Sequence, residues 1–390
     1  MPMVTERLPR RQALILLGSL AALPTLPSAA AAAGAIAGAL RLAAAWQQAD
    51  GSYRIGLLAA PVGGAGPLTV LHALEVPTRA HGLQPLPDGS ILAAARRPGD
   101  WLLRWRPGGA EEPVWHWVDA ARSFNGHVIA GPGGEHIYTT ETDIDTGASL
   151  VARRNARSLE TEAEWPTHGI DAHELIWDSA TRRGGQPTLI VANGGVPTAP
   201  ETGRVKRELH NMDSSIVRLD GRSGELLGQW RLPDQRLSLR HLAWNPARTV
   251  LGIALQAEHD SADDKNAAPI LALFDGSGLR TVAAPPAIAA RIRGYGGSMA
   301  ATAAGWAVSC PRADGIASFT PQGQWQALVP LPEVCALAVS SQQLWAAGLG
   351  RSLQHAQAAA PTSHAHAGLL SDARMDNHWA VAGDPPYKKT

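Results

Sequence analysis

The residues best suited to chemistry are histidines that recur at a fixed interval. His81, His127 and His173 stand 46 residues apart. Each sits in a short polar marker beside an apolar run: Arg79-Ala80-His81-Gly82, Phe124-Asn125-Gly126-His127 and Ile170-Asp171-Ala172-His173-Glu174. Ser238-Leu239-Arg240-His241-Leu242 is the next counterpart, and Asp376-Asn377-His378-Trp379 closes the series. Neutral imidazole is the commonest side-chain metal ligand, and several converging would suit Cu, Zn or Fe. If the repeats hold these positions in register, His127, His173 and His241 are the metal-ligand candidates, His81 and His378 share their ring, and a transition metal is the cofactor. Glu141, Glu174 and Asn193 would supply oxygen ligands or fix ring tautomers. Arg240 brings a bidentate donor for an anion or carboxylate.

A structural reading weighs more heavily. No short ligand spacing is present, and buried polar groups need partners, so most of these histidines are expected to settle packing between neighbouring sheets. His173-Glu174-Leu175 is not a zinc HExxH helix, since Trp177 fills the second histidine position. Strand alternation would place His173 and Glu174 on opposite faces. Gly296-Gly297-Ser298-Met299-Ala300 misses the nucleophile elbow at its last position. Gly63-Gly64-Ala65-Gly66 reads as a loop, and there is no Walker A, dinucleotide fingerprint or EF-hand series. His364 and His366 fall in an Ala/His/Ser/Pro-rich stretch expected to be a solvated loop. No reaction is specified.

The elements that carry these residues are short β-rich runs between turn signals. Examples are Gly89–Arg97, His136–Thr142, Thr188–Gly195, Ser215–Leu232, Leu251–Gln256, Gly305–Pro311 and Leu344–Gly350. Forty Gly and 29 Pro punctuate the chain, and helical periodicity is nearly absent. Asp220-Gly221-Arg222-Ser223-Gly224 between alternating runs predicts a hairpin. Trp101, Trp105, Trp115 and Trp117 alternate as strand residues that pack a core. Weaker markers at Gly296–Met299 and Glu333–Ala336 bring the total to seven, at intervals near the ~40–50 residues of a propeller blade plus insertions. The expected fold is an all-β, seven-bladed β-propeller over residues 34–384. In it the N-terminal strands near Leu40–Trp46, Tyr53–Ala60 and Leu68–Val76 pair with a C-terminal strand at His378–Val381, removing the open edge. The marker residues would then face one mouth of a central channel. His259–Ala268 and Gln354–Gly368 read as inserted loops, and 385–390 as a mobile tail. Cys310 and Cys335 suit a disulfide or two small buried residues equally.

Residues 1–33 have the layout of an export signal. Arg7, Arg10 and Arg11 precede the apolar run Ala13–Leu23, which Pro24, Pro27 and an alanine tract follow. Arg10-Arg11 resembles a twin-arginine signal, and the run is shorter than the ~20 residues of a spanning helix. A periplasmic chain without a stable membrane span is expected. Without this segment the formal charge moves from 34 basic against 34 acidic residues to 31 against 33. No basic stripe is left, which argues against nucleic acid as a partner.

The order Gly126-His127, Thr139-Thr140-Glu141, His168-Gly169-Ile170-Asp171-Ala172-His173-Glu174-Leu175, Val191-Ala192-Asn193-Gly194-Gly195, the run from His210 to Leu226 and Leu237–Ala243 resembles a bacterial family of exported proteins. It is the domain-of-unknown-function 1513 family. The similarity covers nearly the whole mature chain and is strongest from Phe124 to Trp244. It implies a propeller and an export signal. Family genes often lie beside those of imelysin-like, iron-associated periplasmic proteins, which implies a link to iron or metal acquisition. The chain departs from the family at Pro197-Thr198-Ala199-Pro200, where a histidine commonly stands in place of Ala199. The leading expectation is a binding or accessory protein with a small ligand or periplasmic protein partner at the channel mouth. The alternative is a metal- or quinone-dependent oxidoreductase.

Overall fold

The computed structural model describes residues 40–61, 66–119, 121–179, 186–197, 208–355 and 361–383. The export-like segment 1–33, most of Gly63–Gly66, residues 198–200 and the tail 385–390 lie outside them. Gly38–Thr390 forms one compact unit.

Three strands come first: β1 (Leu40–Gln47), β2 (Tyr53–Ala60) and β3 (Thr69–Val76). Five antiparallel sheets of four strands follow. The first holds β4 (Ala80–Pro85), β5 (Ile91–Ala95), β6 (Trp101–Trp105) and β7 (Val114–Trp117). The second holds β8 (Arg122–Ala130), β9 (His136–Asp143), β10 (Ser149–Asn155) and β11 (Thr161–Pro166). The third holds β12 (Ala172–Trp177), β13 (Thr188–Asn193), β14 (Ser215–Asp220) and β15 (Leu226–Trp230). The fourth holds β16 (Leu237–Trp244), β17 (Leu251–Ala257), β18 (Leu271–Phe274) and β19 (Leu279–Val282). The fifth holds β20 (Met299–Thr302), β21 (Gly305–Cys310), β22 (Gly315–Phe319) and β23 (Trp325–Pro330). Then come β24 (Leu337–Ser340), β25 (Gln343–Ala347), β26 (Arg351–His355), β27 (Thr362–Ala365) and β28 (Arg374–Ala382).

These last five join the first three in an eight-stranded sheet, ordered β27-β26-β25-β24-β28-β1-β2-β3. Its two halves meet through a single parallel pair, Leu337 with His378, whereas β28 runs antiparallel to β1 along most of its length. The fold is all-β and propeller-like in its stacking of four-stranded units. The leading strands lie side by side in order: β4 against β8, β8 against β12, β12 against β16, β16 against β20, β20 against β24, β24 against β28, and β28 against β4.

The core lies between the sheets rather than inside any one of them. Ile190, Ala192 and Ile216 of the third sheet pack on Leu239, Ile253 and Phe274 of the fourth. Leu92, Ala94 and Leu102 pack on Phe124, Val128 and Ile137, and Ala43, Ala45 and Ile55 on Ala93, Ala95 and Trp101. Each buried Leu, Ile or Phe contributes about 1.5–3 kcal/mol through the surface it withdraws from water. Burial fades outward: β13 is buried throughout, whereas the outer strand β11 alternates exposed and half-buried residues.

Turns follow simple side-chain rules. At the predicted hairpin between β14 and β15, Asp220 accepts bonds from the backbone N–H groups of Arg222 and Ser223, both at 2.8 Å. Gly224 takes φ +75°, open to glycine at little cost. Three expectations change. The stretch expected to be a solvated loop contributes β27, where His364 is buried, stacked on Trp345 and bonded to Gln354 and the Gly66 carbonyl. The insertion at His259–Ala268 holds a short helix, Ala262–Ala267, capped by Ser261. Trp101 and Trp105 are buried, but Trp117 is 51% exposed because β7 is the outermost strand of its sheet. Cys310 and Cys335 are both free thiols. Burial pushes the Cys310 thiol up to about 12.

Candidate functional site

Five of the leading strands share a local irregularity, and each has a histidine in it. Between Ala80 and Leu83 of β4, two residues, His81 and Gly82, oppose the single residue Ala94. In β8, Asn125, Gly126 and His127 oppose Thr140. His173 and Glu174 oppose Ala192, and Arg240 and His241 oppose Ala254. In β28, Asp376, Asn377 and His378 oppose Ala45. These are β-bulges, which break the in–out alternation of a strand and re-aim side chains. The pairings of β20 with β21 and of β24 with β25 run without a register shift, and those strands have no histidine.

The bulges point the imidazoles at one another. Ring centroids of His81 and His127 are 4.8 Å apart, those of His127 and His173 4.7 Å, and those of His241 and His378 4.6 Å. Nε2 of His173 lies 3.1 Å from Nε2 of His241. One ligand nitrogen from each of His81, His127, His241 and His378 falls within 4.8 Å of all the others. Nitrogens held about 2.0–2.1 Å from one shared ion, at angles of about 90–110°, stand about 2.9–3.4 Å apart. The His173–His241 pair already meets that spacing. An ion with two opposite ligands draws them to about 4.1 Å, so the widest pair would close by about 0.7 Å.

The surroundings favour neutral, coordinating rings. Burial, then the neighbouring imidazoles and arginines, holds His81 and His127 well below the ordinary histidine range. The same causes act on His173 and His241. For His378 burial outweighs the Asp376 carboxylate and leaves a value of about 4. Nδ1 of His81 faces Oδ1 of Asp376 at 3.4 Å, and Asp376 is ion-paired with Arg79. A carboxylate there favours the Nδ1–H tautomer and leaves Nε2 of His81 as the donor to a metal. That nitrogen, and Nε2 of His127 and of His378, have no hydrogen-bond partner among the described residues. Glu174 accepts a 2.7 Å bond from the Leu242 N–H, and its other oxygen lies 4.0 Å from Nδ1 of His127. Burial raises its carboxyl to about 8.

A cavity of about 220 Å³ opens beside the rings and is lined in part by His81, His173 and His241. Its wall includes Arg96, Arg97, Arg240 and Arg312. Arg240 is 2% exposed and pairs with Asp171 at 2.9 Å; Asp171 also pairs with Arg97.

With this geometry described, comparison with known proteins gives one decisive match. A family described as "Protein of unknown function (DUF1513)" matches residues 74–382. The chain belongs to the DUF1513 family. No curated protein matches it. Among solved structures, Sqt1 of Saccharomyces cerevisiae is similar at 9% identity, covering 83% of each chain, with a TM-score of 0.47. A functionally unknown protein from Desulfotomaculum acetoxidans DSM 771 is similar at 12% identity over 76% of this chain and 86% of its own, TM-score 0.47. A chain of a nidogen/laminin complex shows 10% identity over 74% and 93%, TM-score 0.45.

Not every residue singled out in this DUF1513 chain reaches the cluster. His81, His127, His173, His241 and His378 come together, with Glu174 at their edge and Arg240 in the cavity wall. Glu141 does not: it is ion-paired with buried Arg154 at 2.8 Å and accepts from Thr139 at 2.5 Å. Asn193 donates to the Thr167 carbonyl at 2.9 Å and to Ser215 at 3.2 Å, tying a loop to its own sheet. Contacts between sheets are made by some of the imidazoles, His173 with His241 and His81 with Asp376, and by their neighbours. Asn125 donates to the Ala172 carbonyl, Thr140 to the His173 carbonyl and Trp177 to the Ala130 carbonyl. Sequence reasoning quoted Asp376 in its marker without giving it a role, and singled out none of Arg96, Arg97 and Arg312. Asp376 lies two residues before His378, and that proximity was the available signal.

Proposed function

We propose that this DUF1513 protein is a periplasmic, seven-bladed β-propeller that binds a first-row divalent transition metal on its histidine cluster and serves in metal handling as a binding or accessory protein. The observation that carries the reading is the convergence of ligand nitrogens from His81, His127, His241 and His378 within 4.8 Å, with His173 beside them. Residues nearly 300 positions apart in sequence contribute to one point. Imidazole donors without thiolates suit Zn, Cu, Ni or Fe, and raw affinity among divalent ions rises toward Cu. The Asp376 and Glu174 carboxylates stand where they would orient rings and offset charge. Taking β28 with β1–β3 as one unit and β24–β27 as another would bring the five four-stranded sheets to seven blades, and the cyclic contacts of the leading strands support that reading. The periplasmic setting rests on the export-like segment.

Metal analysis of purified protein, followed by competition titration with Cu²⁺, Zn²⁺ and Fe²⁺, tests the reading. About one ion per chain at sub-micromolar affinity is expected, with uptake lost in His127→Ala/His241→Ala. A well-folded protein that takes up no ion at micromolar concentration would sink it. Sustained turnover of an electron donor by the metal-loaded protein would move the assignment to the oxidoreductase.

A further inference from the structure

We infer that the cavity beside the histidine cluster is a site for a small oxyanion, and specifically for a di- or tricarboxylate that spans from the arginines to the cluster. Among the described residues lining it there are four arginines and no Asp or Glu. Arg240 is the decisive member. It is 2% exposed, one of its terminal nitrogens pairs with Asp171, and its Nε faces no hydrogen-bond partner among the described residues. A buried guanidinium with a donor left over is costly, and a planar carboxylate is the group its fork geometry fits. Arg312 is exposed, stacks on Tyr295 with its guanidinium 4.5 Å from the ring centroid, and gives the same cavity a further cation on its open side.

Size and position narrow the ligand. A cavity of about 220 Å³ has room for a small di- or tricarboxylic acid. His173 and His241 line the same cavity as Arg240. A ligand with one carboxylate on the arginines can therefore offer a second to the imidazoles. A monoanion would satisfy only the first. The bridging half of this inference rests on the metal reading above; the oxyanion half does not.

The test is isothermal titration of the full chain with oxalate, citrate and inorganic phosphate, in metal-free and Zn²⁺-loaded forms and at two salt concentrations. Binding of the carboxylates to metal-free protein, weakened by salt and tightened by Zn²⁺, is expected. Arg312→Gln, on the exposed side of the cavity, should lower anion affinity about tenfold, the usual loss for one charged donor, and leave Zn²⁺ uptake unchanged. Arg240→Gln should lose more; if it fails to fold, Arg312→Gln carries the comparison. Normal Zn²⁺ uptake with no anion binding in either form would overturn the inference and spare the metal reading. Anion binding without any metal uptake would support the oxyanion site and sink the metal reading. Equal affinity for all three anions with and without Zn²⁺ would overturn the bridging half.

Discussion

Replacing Glu174 with Gln should change the stability of the metal-free protein in a strongly pH-dependent way. The side chain keeps its 2.7 Å bond from the Leu242 N–H in either form, since the Gln carbonyl accepts it equally. Only the ionisable proton is lost. Burial raises the Glu174 carboxyl from its ordinary 4.5 to about 8. A group whose folded value is raised stabilises fully below its unfolded value and loses that contribution as pH rises toward the folded one. At 1.36 kcal/mol per pH unit, the interval from 4.5 to about 8 gives a ceiling of about 5 kcal/mol. One-fifth of the side chain remains accessible, so solvent screening lowers the expected figure to about 2–4 kcal/mol. Urea denaturation after EDTA treatment measures this directly. Wild type and Glu174→Gln should agree within about 1 kcal/mol at pH 5, and the variant should be the more stable by the full amount at pH 8.5. With Zn²⁺ bound the order should reverse, because the ion favours the carboxylate over the amide. A difference that stays constant from pH 5 to pH 8.5 would show that Glu174 is not held in a charge-hostile environment.

Other consequences can be checked on the same protein. Acidification should weaken the fold between pH 6.5 and about 4, since the buried imidazoles bind fewer protons folded than unfolded; His378 alone accounts for about 3 kcal/mol, measurable as a falling Tm without metal. Metal uptake should fail over the same range, read by competition titration, because protonated rings cannot coordinate. Gly126→Ala should cost about 1–3 kcal/mol and impair uptake, since Gly126 has φ +98° and an added Cβ would lie 2.9 Å from Cδ2 of His81. Glu141→Gln should cost about 3–5 kcal/mol by leaving Arg154 buried and uncompensated, yet metal stoichiometry should stay at the wild-type level. Stoichiometry that fell with Glu141→Gln would return that residue to the site.

The site was half legible in the sequence. The 46-residue spacing of His81, His127 and His173 is a direct consequence of repeating four-stranded units, and it placed three of five rings on equivalent strands. His241 breaks the interval because a long connection between β13 and β14 intervenes, yet its marker Leu239-Arg240-His241 survives. What the sequence could not convey is the bulge. Strict alternation separates His173 from Glu174, and the extra residue opposite Ala192 undoes that separation. Glu141 misled for the opposite reason: it alternates regularly along β9 and turns to Arg154 between sheets, not to the rings. His364 and His366 show composition at its weakest. An Ala/Ser/Pro-rich stretch forms a strand there because Trp345 and Gln354 provide partners for it.

The bulges also set how stiff the cluster is. The backbone of a regular ladder shifts only together with the strands it is hydrogen-bonded to. In a bulge, two or three residues share one partner, and the ladder resumes intact on either side. Each ring is therefore carried on a short stretch outside the regular ladder, between two paired segments. A shift confined to one such stretch would leave the register on either side unchanged. On the proposed metal reading, the choice of ion would be governed by the chemistry of the nitrogen donors more than by a fixed opening.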